Sequence, residues 1–223
     1  MIEIKNMDKI YLKGKKNMVR ALNNINLKIN DGETVAIIGE SGAGKSTLLH
    51  IMSCIENFDG EYYLDDIEIN MLSESKKSKL RSSNIGIVLQ DFALIDDFTV
   101  FENVMTPLYF NNKIKDKKEA VMRTLEKTGI VSLKNKKVSQ LSGGQKQRVA
   151  ISRAIVTNPK YIFADEPTGM LDSKTSNEII KMLFDLNNTG ITVIIVTHNL
   201  EIANQCQHIV EIKDGDIVRD IYL

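Results

Sequence analysis

The sequence predicts an α/β domain built on a parallel sheet, and three observations carry that expectation. The apolar run Thr34 to Ile38 meets the glycine-rich stretch Gly39 to Thr47 and then Leu48, Leu49, Ile51 and Met52, so a buried strand turns into a helix. A second apolar run, Tyr161 to Ala164, ends directly in Asp165-Glu166. From there a strand, a helix (about 173 to 187), a further strand (Ile191 to Thr197) and another helix alternate, as the crossovers of a parallel sheet require. A chain of 223 residues suffices for one such domain, or for a core carrying an inserted subdomain.

Taken in order, Ile2 and Ile4 and then Ile25, Leu27 and Ile29 alternate with polar residues, the period of half-buried strands, so a small β-layer opens the chain. Asn30-Asp31-Gly32 is a turn into the strand that feeds the glycine-rich loop. Tyr62 to Leu64 and Ile67 to Ile69 flank Asp65-Asp66 as a hairpin, and a polar, lysine-rich stretch from Ser73 to Ser83 follows. The strand Ile85 to Leu89 stops at Gln90. Helix signals then take over from about 91 to 155: Thr99 with Glu102 forms a capping-box pattern, Asp116 to Thr128 stops at Gly129, and Ser142 opens a long helix that ends before Asn158-Pro159. Asp214-Gly215 turns a last hairpin between His208 to Ile212 and Ile217 to Tyr222.

Composition narrows the chemistry. Twenty-nine basic residues balance 29 acidic ones, so no overall field recruits nucleic acid or anionic lipid, and binding must come from a local site. The clusters Lys76, Lys77, Lys79, Arg81 and Lys134, Lys136, Lys137 read as solvated faces. Two cysteines, Cys54 and Cys206, have no metal-type or CxxC spacing, which suits a reducing compartment and buried packing. The longest apolar run, Ile191 to Val196, is far short of the 18 or so residues of a membrane span, and no signal peptide is read.

Gly39, Glu40, Ser41, Gly42, Ala43, Gly44, Lys45, Ser46 and Thr47 fit G-x-x-x-x-G-K-[ST] in the strand-to-helix setting that the motif needs. The glycines let backbone N–H groups curl around phosphate oxygens, the helix presents the positive end of its dipole, Lys45 adds a cation, and Ser46 would hold Mg²⁺. Asp165 and Glu166 stand at the carboxyl end of a strand, the edge of a parallel sheet where ligands bind, so Asp165 can hold Mg²⁺ and Glu166 can polarise a water. Alone, that pair is an acidic strand-end turn; beside the phosphate loop it makes the chain a nucleotide hydrolase candidate. Leu141-Ser142-Gly143-Gly144-Gln145 sets a hydroxyl and two glycine N–H groups at a helix N-terminus, a second anion site in a chain that already has one.

Leu141 to Gln145, followed by Gln147-Arg148-Val149-Ala150-Ile151-Ser152-Arg153-Ala154, resembles the signature of the ATP-binding cassette (ABC) ATPases. The resemblance covers nearly the whole chain. It implies a P-loop NTPase core of the RecA-like type, with an N-terminal antiparallel β-subdomain and an inserted helical subdomain, over 1–90, 91–155 and 156–223. It also assigns roles. Tyr11 matches the aromatic residue that stacks on adenine, Gln90 the glutamine that senses Mg²⁺ and the attacking water and faces the transmembrane partner, Asp172 a loop crossing a dimer interface, and His198 the residue that contacts the γ-phosphate. The family answer to the two anion sites is an ATP-induced, head-to-tail homodimer, in which Ser142, Gly143, Gly144 and Gln145 of one copy close on the nucleotide of the other.

Within that family, Ala164 to Gly169 and Asp96 to Leu108 resemble bacterial transporters of the MacB, LolD and bacitracin-resistance type. Met170, Val138 and Asn199 depart from that pattern. The implied function is an ATP-hydrolysing subunit, peripheral on the cytoplasmic face of the membrane, that energises a separate permease for export or removal of an antimicrobial peptide, drug or lipoprotein. Two alternatives stand beside it: a soluble assembly-factor ATPase, and a cell-division-type regulatory ATPase that moves no cargo. The short helical insert, without sustained heptads, argues against the long-armed repair ATPases.

Overall fold

The structure is a computed structural model that describes residues 1–223. In chain order it places β1 (Ile2–Tyr11), β2 (Val19–Ile29), β3 (Thr34–Ile38), α1 (Lys45–Met52), β4 (Asp59–Leu64), β5 (Ile67–Glu68) and α2 (Glu74–Asn84). There follow β6 (Ile85–Val88), α3 (Val100–Met105), α4 (Lys117–Lys127), α5 (Gly143–Ile155), β7 (Tyr161–Asp165) and α6 (Ser173–Asn187). The chain closes with β8 (Thr192–Val196), α7 (Leu200–Ala203), β9 (His208–Lys213) and β10 (Asp216–Tyr222). Two units result, Met1–Ser78 with Thr192–Leu223, and Lys79–Ile191. No helix is long and apolar enough to cross a membrane.

In the first unit the alternation near the N-terminus becomes an antiparallel layer in the order β2-β1-β4-β5, where Ile2 lies opposite Ile29 on one side and Leu64 on the other. Ile2, Ile4, Met7, Ile25, Leu27 and Ile29 are all buried, so one face of the layer is core. β3 is buried at all five positions and pairs in parallel with β8 and β9, Val35 standing opposite both Ile194 and His208. An uninterrupted apolar run is what a strand covered on both faces needs. α1 buries Leu48, Leu49, Ile51 and Met52, and the Tyr62 hydroxyl donates to the Met52 carbonyl at 2.7 Å, tying β4 to the end of that helix.

In the second unit β6 and β7 pair in parallel, with Val88 opposite Ala164. Its helices enclose a core of Val100, Val104, Leu108, Val121, Leu125 and Val149. The expected start and stop signals act as such. Thr99 and Glu102 form a capping box on α3, Asp116 caps α4, and Gly129, at φ 72°, follows its end. The strand readings from β6 onward hold to within a residue at their ends, whereas β1, β2 and β4 run past the stretches read from the sequence, to Tyr11, back to Val19 and back to Asp59.

One stretch differs from the sequence reading. The lysine-rich segment after Ser73 is the helix α2, which has no apolar stripe to reveal it; only Lys77 is buried there. Lys77 is therefore not a solvated charge: its ammonium bonds Asn57 Oδ1 at 3.1 Å and pairs with Glu74 at 3.1 Å. Cys54 and Cys206 are both buried and form no disulfide, and burial pushes the Cys206 thiol up to about 12.

Candidate functional site

The phosphate loop leaves the carboxyl end of β3 and enters α1. Lys45 is 9% exposed, and its ammonium donates to the carbonyls of Gly39 and Glu40, each at 2.8 Å. An ammonium has three donors, so the loop holds two and one remains for a ligand. Gly44, the residue capping α1, sits at φ 107°, and a Cβ there would collide with the Ala21 carbonyl oxygen. No side chain caps α1 and no acid occupies its first turn. Glu40, Ser41, Gly42 and Ser46 are exposed, Gly39 and Thr47 half-buried, and Ala43 buried.

Other candidates of the first unit gather at the same edge. Ile37 lies opposite Val196, so Gly39 and His198 each leave the sheet two residues beyond that pair. The Thr197 amide donates to Ile37 O at 3.1 Å, and the Asn199 amide to Thr197 Oγ1 at 3.1 Å, fixing the backbone on both sides of the exposed His198. Tyr11 ends β1, half-buried, with its hydroxyl 3.5 Å from Thr47 Oγ1.

The second unit carries the other group. Val88 opposite Ala164 puts Gln90 and Glu166 two residues past the same pair, again at one carboxyl edge. Glu166 has φ 42°, the left-handed region that a non-glycine residue occupies only when its surroundings enforce it. The Gln90 amide lies against the loop that follows, its Nε2 3.0 Å from where a Gly169 Cβ would be, and Gly169 N donates to Glu166 O at 3.0 Å. Asp165 is half-buried at the end of β7.

Ser142 caps α5, its hydroxyl accepting from Gln145 N at 3.4 Å while the Gln145 side chain accepts from Ser142 N at 3.1 Å. A Cβ on Gly144 would stand 2.5 Å from Thr175 Cγ2, so only glycine lets α5 approach α6 this closely. Thr175 is itself held by Asp172, which accepts from its amide at 3.0 Å and its hydroxyl at 2.7 Å. Those two bonds keep the Asp172 carboxyl below its ordinary range. Gly143 packs near Leu171, 3.4 Å from its would-be Cβ, so the Ser142 loop and the Asp172 segment are neighbours.

Three groups went without a role in the sequence reading. Arg153, on α5, donates to the carbonyls of Phe92, at 2.9 Å, and Ala93, the two residues after Gln90-Asp91. Both are left-handed, at φ 63° and 45°, so the arginine secures a strained turn; its own burial lowers its pKa. Glu56 and Lys9 contact Tyr11. The i,i+2 spacing of Lys9 and Tyr11 on one strand was the available signal, since it sets both on one face.

The donors named for a metal are Ser46 in the first turn of α1, Gln90 beyond β6 and Asp165 at the end of β7, one hydroxyl, one amide oxygen and one carboxylate. All three are hard oxygen donors, the type that Mg²⁺ takes beside phosphate.

A protein-family profile described as ABC transporter matches residues 22–169. The chain is 44% identical to an ABC transporter ATP-binding protein of Methanocaldococcus jannaschii, MJ0796, over 99% of this chain and 96% of that one. A solved structure described as a dimeric, post-hydrolysis state of the MJ0796 cassette bound to ADP and Pi superposes with a TM-score of 0.92 at 41% identity, over 100% of this chain and 99% of the other. The macrolide export ATP-binding/permease protein MacB of Chlorobaculum tepidum is 40% identical over 99% of this chain, which spans 34% of MacB. A family match over most of the length, and a relative 44% identical over nearly the whole of both chains, make this chain a member of the ABC transporter family, in its ATP-binding subunits.

Proposed function

We propose that the chain hydrolyses Mg·ATP as a head-to-tail dimer and drives a separate permease from the cytoplasmic face of the membrane. The Lys45 ammonium, buried and fixed by two carbonyls with one donor left over, is the observation that carries the reading. Residues 1–90 and 156–223 serve as nucleotide-binding core with its β-subdomain, and 91–155 as the helical subdomain bearing the Ser142 loop. The loop amides of Gly39 to Thr47 and Lys45 take the β- and γ-phosphates, and Tyr11 takes the adenine. Ser46, Asp165 and Gln90 hold Mg²⁺, which neutralises charge on the phosphates when bound.

Catalysis is then positioning and electrostatics. Glu166 accepts a proton from, and orients, the attacking water; His198 donates to the γ-phosphate as charge moves onto it; Ser142 to Gln145 and Asp172 act on the other copy's nucleotide. The dimeric state of the MJ0796 cassette supports the dimer. The name of MacB, and a cassette described as part of the cbiONQ transporter complex, CbiO1 of Clostridium perfringens, support a permease partner. Cargo of the drug, antimicrobial peptide or lipoprotein class is the export reading of that likeness.

Two measurements test it. Glu166→Gln should bind ATP, accumulate as a dimer in light scattering, and lose turnover by a factor on the order of 10² to 10³; wild-type turnover in that variant would overturn the assignment. Affinity purification of the tagged chain from detergent-solubilised native membranes should bring a multi-span protein in stoichiometric amount. Soluble partners alone would favour the assembly-factor ATPase.

A further inference from the structure

Tyr11 is embedded in a set of polar contacts. Its hydroxyl donates to Glu56 Oε2 at 2.5 Å, and the ring carries Lys9 Nζ over one face, 4.8 Å from the centroid. Lys9 is bound twice more, donating to Asn57 O at 2.6 Å and pairing with the same Glu56 oxygen at 3.1 Å. The other Glu56 oxygen lies 3.7 Å from His50 Nδ1, on the helix that starts at the phosphate loop. One carboxylate, 26% exposed, thus gathers the strand that ends in Tyr11, the segment after α1, and α1 itself.

A tyrosine at the end of a strand would otherwise turn among rotamers, and a ligand stacking on it would bear the entropy of stopping it. Here the hydroxyl is anchored and one ring face is covered by a cation, which leaves the opposite face for a planar partner. We propose that Glu56 and Lys9 are positioning residues for the base of the bound nucleotide, holding the Tyr11 ring over the end of the phosphate loop so that base and phosphates are read as one ligand. This inference rests on Tyr11 being the base-stacking residue. Burial works against ionisation of Glu56, and the bonds from Tyr11 and Lys9 outweigh it, keeping the carboxyl below its ordinary range. Burial and the Glu56 contact raise the Tyr11 hydroxyl, so it stays a donor through neutral pH.

The test compares ATP with inorganic tripolyphosphate, which has the phosphates and no base, on the purified full chain. Tyr11→Ala should weaken ATP about tenfold and leave tripolyphosphate within about twofold. Glu56→Ala should weaken ATP about fivefold, again sparing tripolyphosphate, and raise KM for ATP turnover while kcat at saturation holds. Lys9→Met should cost about threefold in ATP alone, and Glu56→Gln, which keeps an acceptor oxygen, should recover most of the Glu56→Ala loss. The Tyr11→Ala/Glu56→Ala pair should be no weaker than Tyr11→Ala, because Glu56 acts through the ring.

A Tyr11→Ala that loses ATP and tripolyphosphate alike overturns the base-stacking reading and this inference with it. If Tyr11→Ala is selective but Glu56→Ala is not, or if the two losses multiply in the double variant, base stacking stands and the positioning role falls. Should Glu56→Ala fail to fold, Lys9→Met decides the matter by the same ATP-to-tripolyphosphate ratio, and a wild-type ratio in that variant overturns the positioning role.

Discussion

Two glycine-rich loops open helices in this chain, one in each unit, and they are finished in different ways. Before α1, a left-handed glycine caps the helix without a side-chain cap, and a buried lysine is tied to the loop's carbonyls. Before α5, a serine caps the helix through a capping box, its hydroxyl accepting at a long 3.4 Å, and the loop is exposed. The first loop carries the parts an anion site needs, amides, dipole and cation, within nine residues. The second has amides and a weakly engaged hydroxyl, and its neighbouring cations, Lys146 and Arg148, are paired with Asp96 and Glu178. That asymmetry suits one loop to bind and the other to close.

Substitutions can break the contrast. Lys45→Ala should lower ATP turnover at least about a hundredfold in a phosphate-release assay, since the charge acts where phosphate charge develops; a variant near wild type would mean the loop is not the phosphate grip. Next come the glycines. Gly44→Ala combines a left-handed backbone with a collision on fixed backbone and should cost about 3 kcal/mol or more in urea denaturation, against about 1 to 3 kcal/mol for Gly144→Ala, which meets only the Thr175 methyl. Equal costs would remove the distinction between a loop locked by its backbone and one packed through a side chain.

Smaller effects sharpen the contrast. Ser142→Ala should leave ATP affinity of the monomer within about twofold, lower turnover about tenfold, and cost about 1 kcal/mol of helix capping. Equal loss of monomer binding and turnover would place Ser142 at its own chain's nucleotide. The least effect is expected at Asp172, whose carboxyl lies below its ordinary range because it accepts from Thr175. The stability it adds is present above about pH 4 and is lost as pH falls through the depressed value. Asp172→Asn, which keeps a capping oxygen, should therefore flatten the acid-side fall of Tm with pH, and an unchanged slope would mean that the charge contributes nothing.

The sequence made the backbone devices legible. Gly39 to Thr47 is readable because a loop that wraps phosphate needs glycines at set positions, and Thr99 with Glu102, or Asp172 before α6, because caps act over three residues. Strand ends carrying Gln90 and Asp165-Glu166 were readable from apolar runs that stop abruptly. α2 was not, since a helix of mostly charged and hydroxyl residues has no apolar period. Nor was Arg153, whose partners are backbone carbonyls about 60 residues away, or Glu56, which lies between elements and gains its contacts only when β1 is laid beside α1.

The strand that feeds the phosphate loop has consequences for the order of assembly. β3 forms near the start of the chain, yet both of its neighbours, β8 and β9, belong to the last 32 residues. Until those residues have left the ribosome, β3 has two bare edges and Gly39 has no sheet behind it. The frame of the phosphate loop thus matures only after β8 and β9 have been made, and a chain arrested at Ile191 carries the motif intact without the strands that flank it.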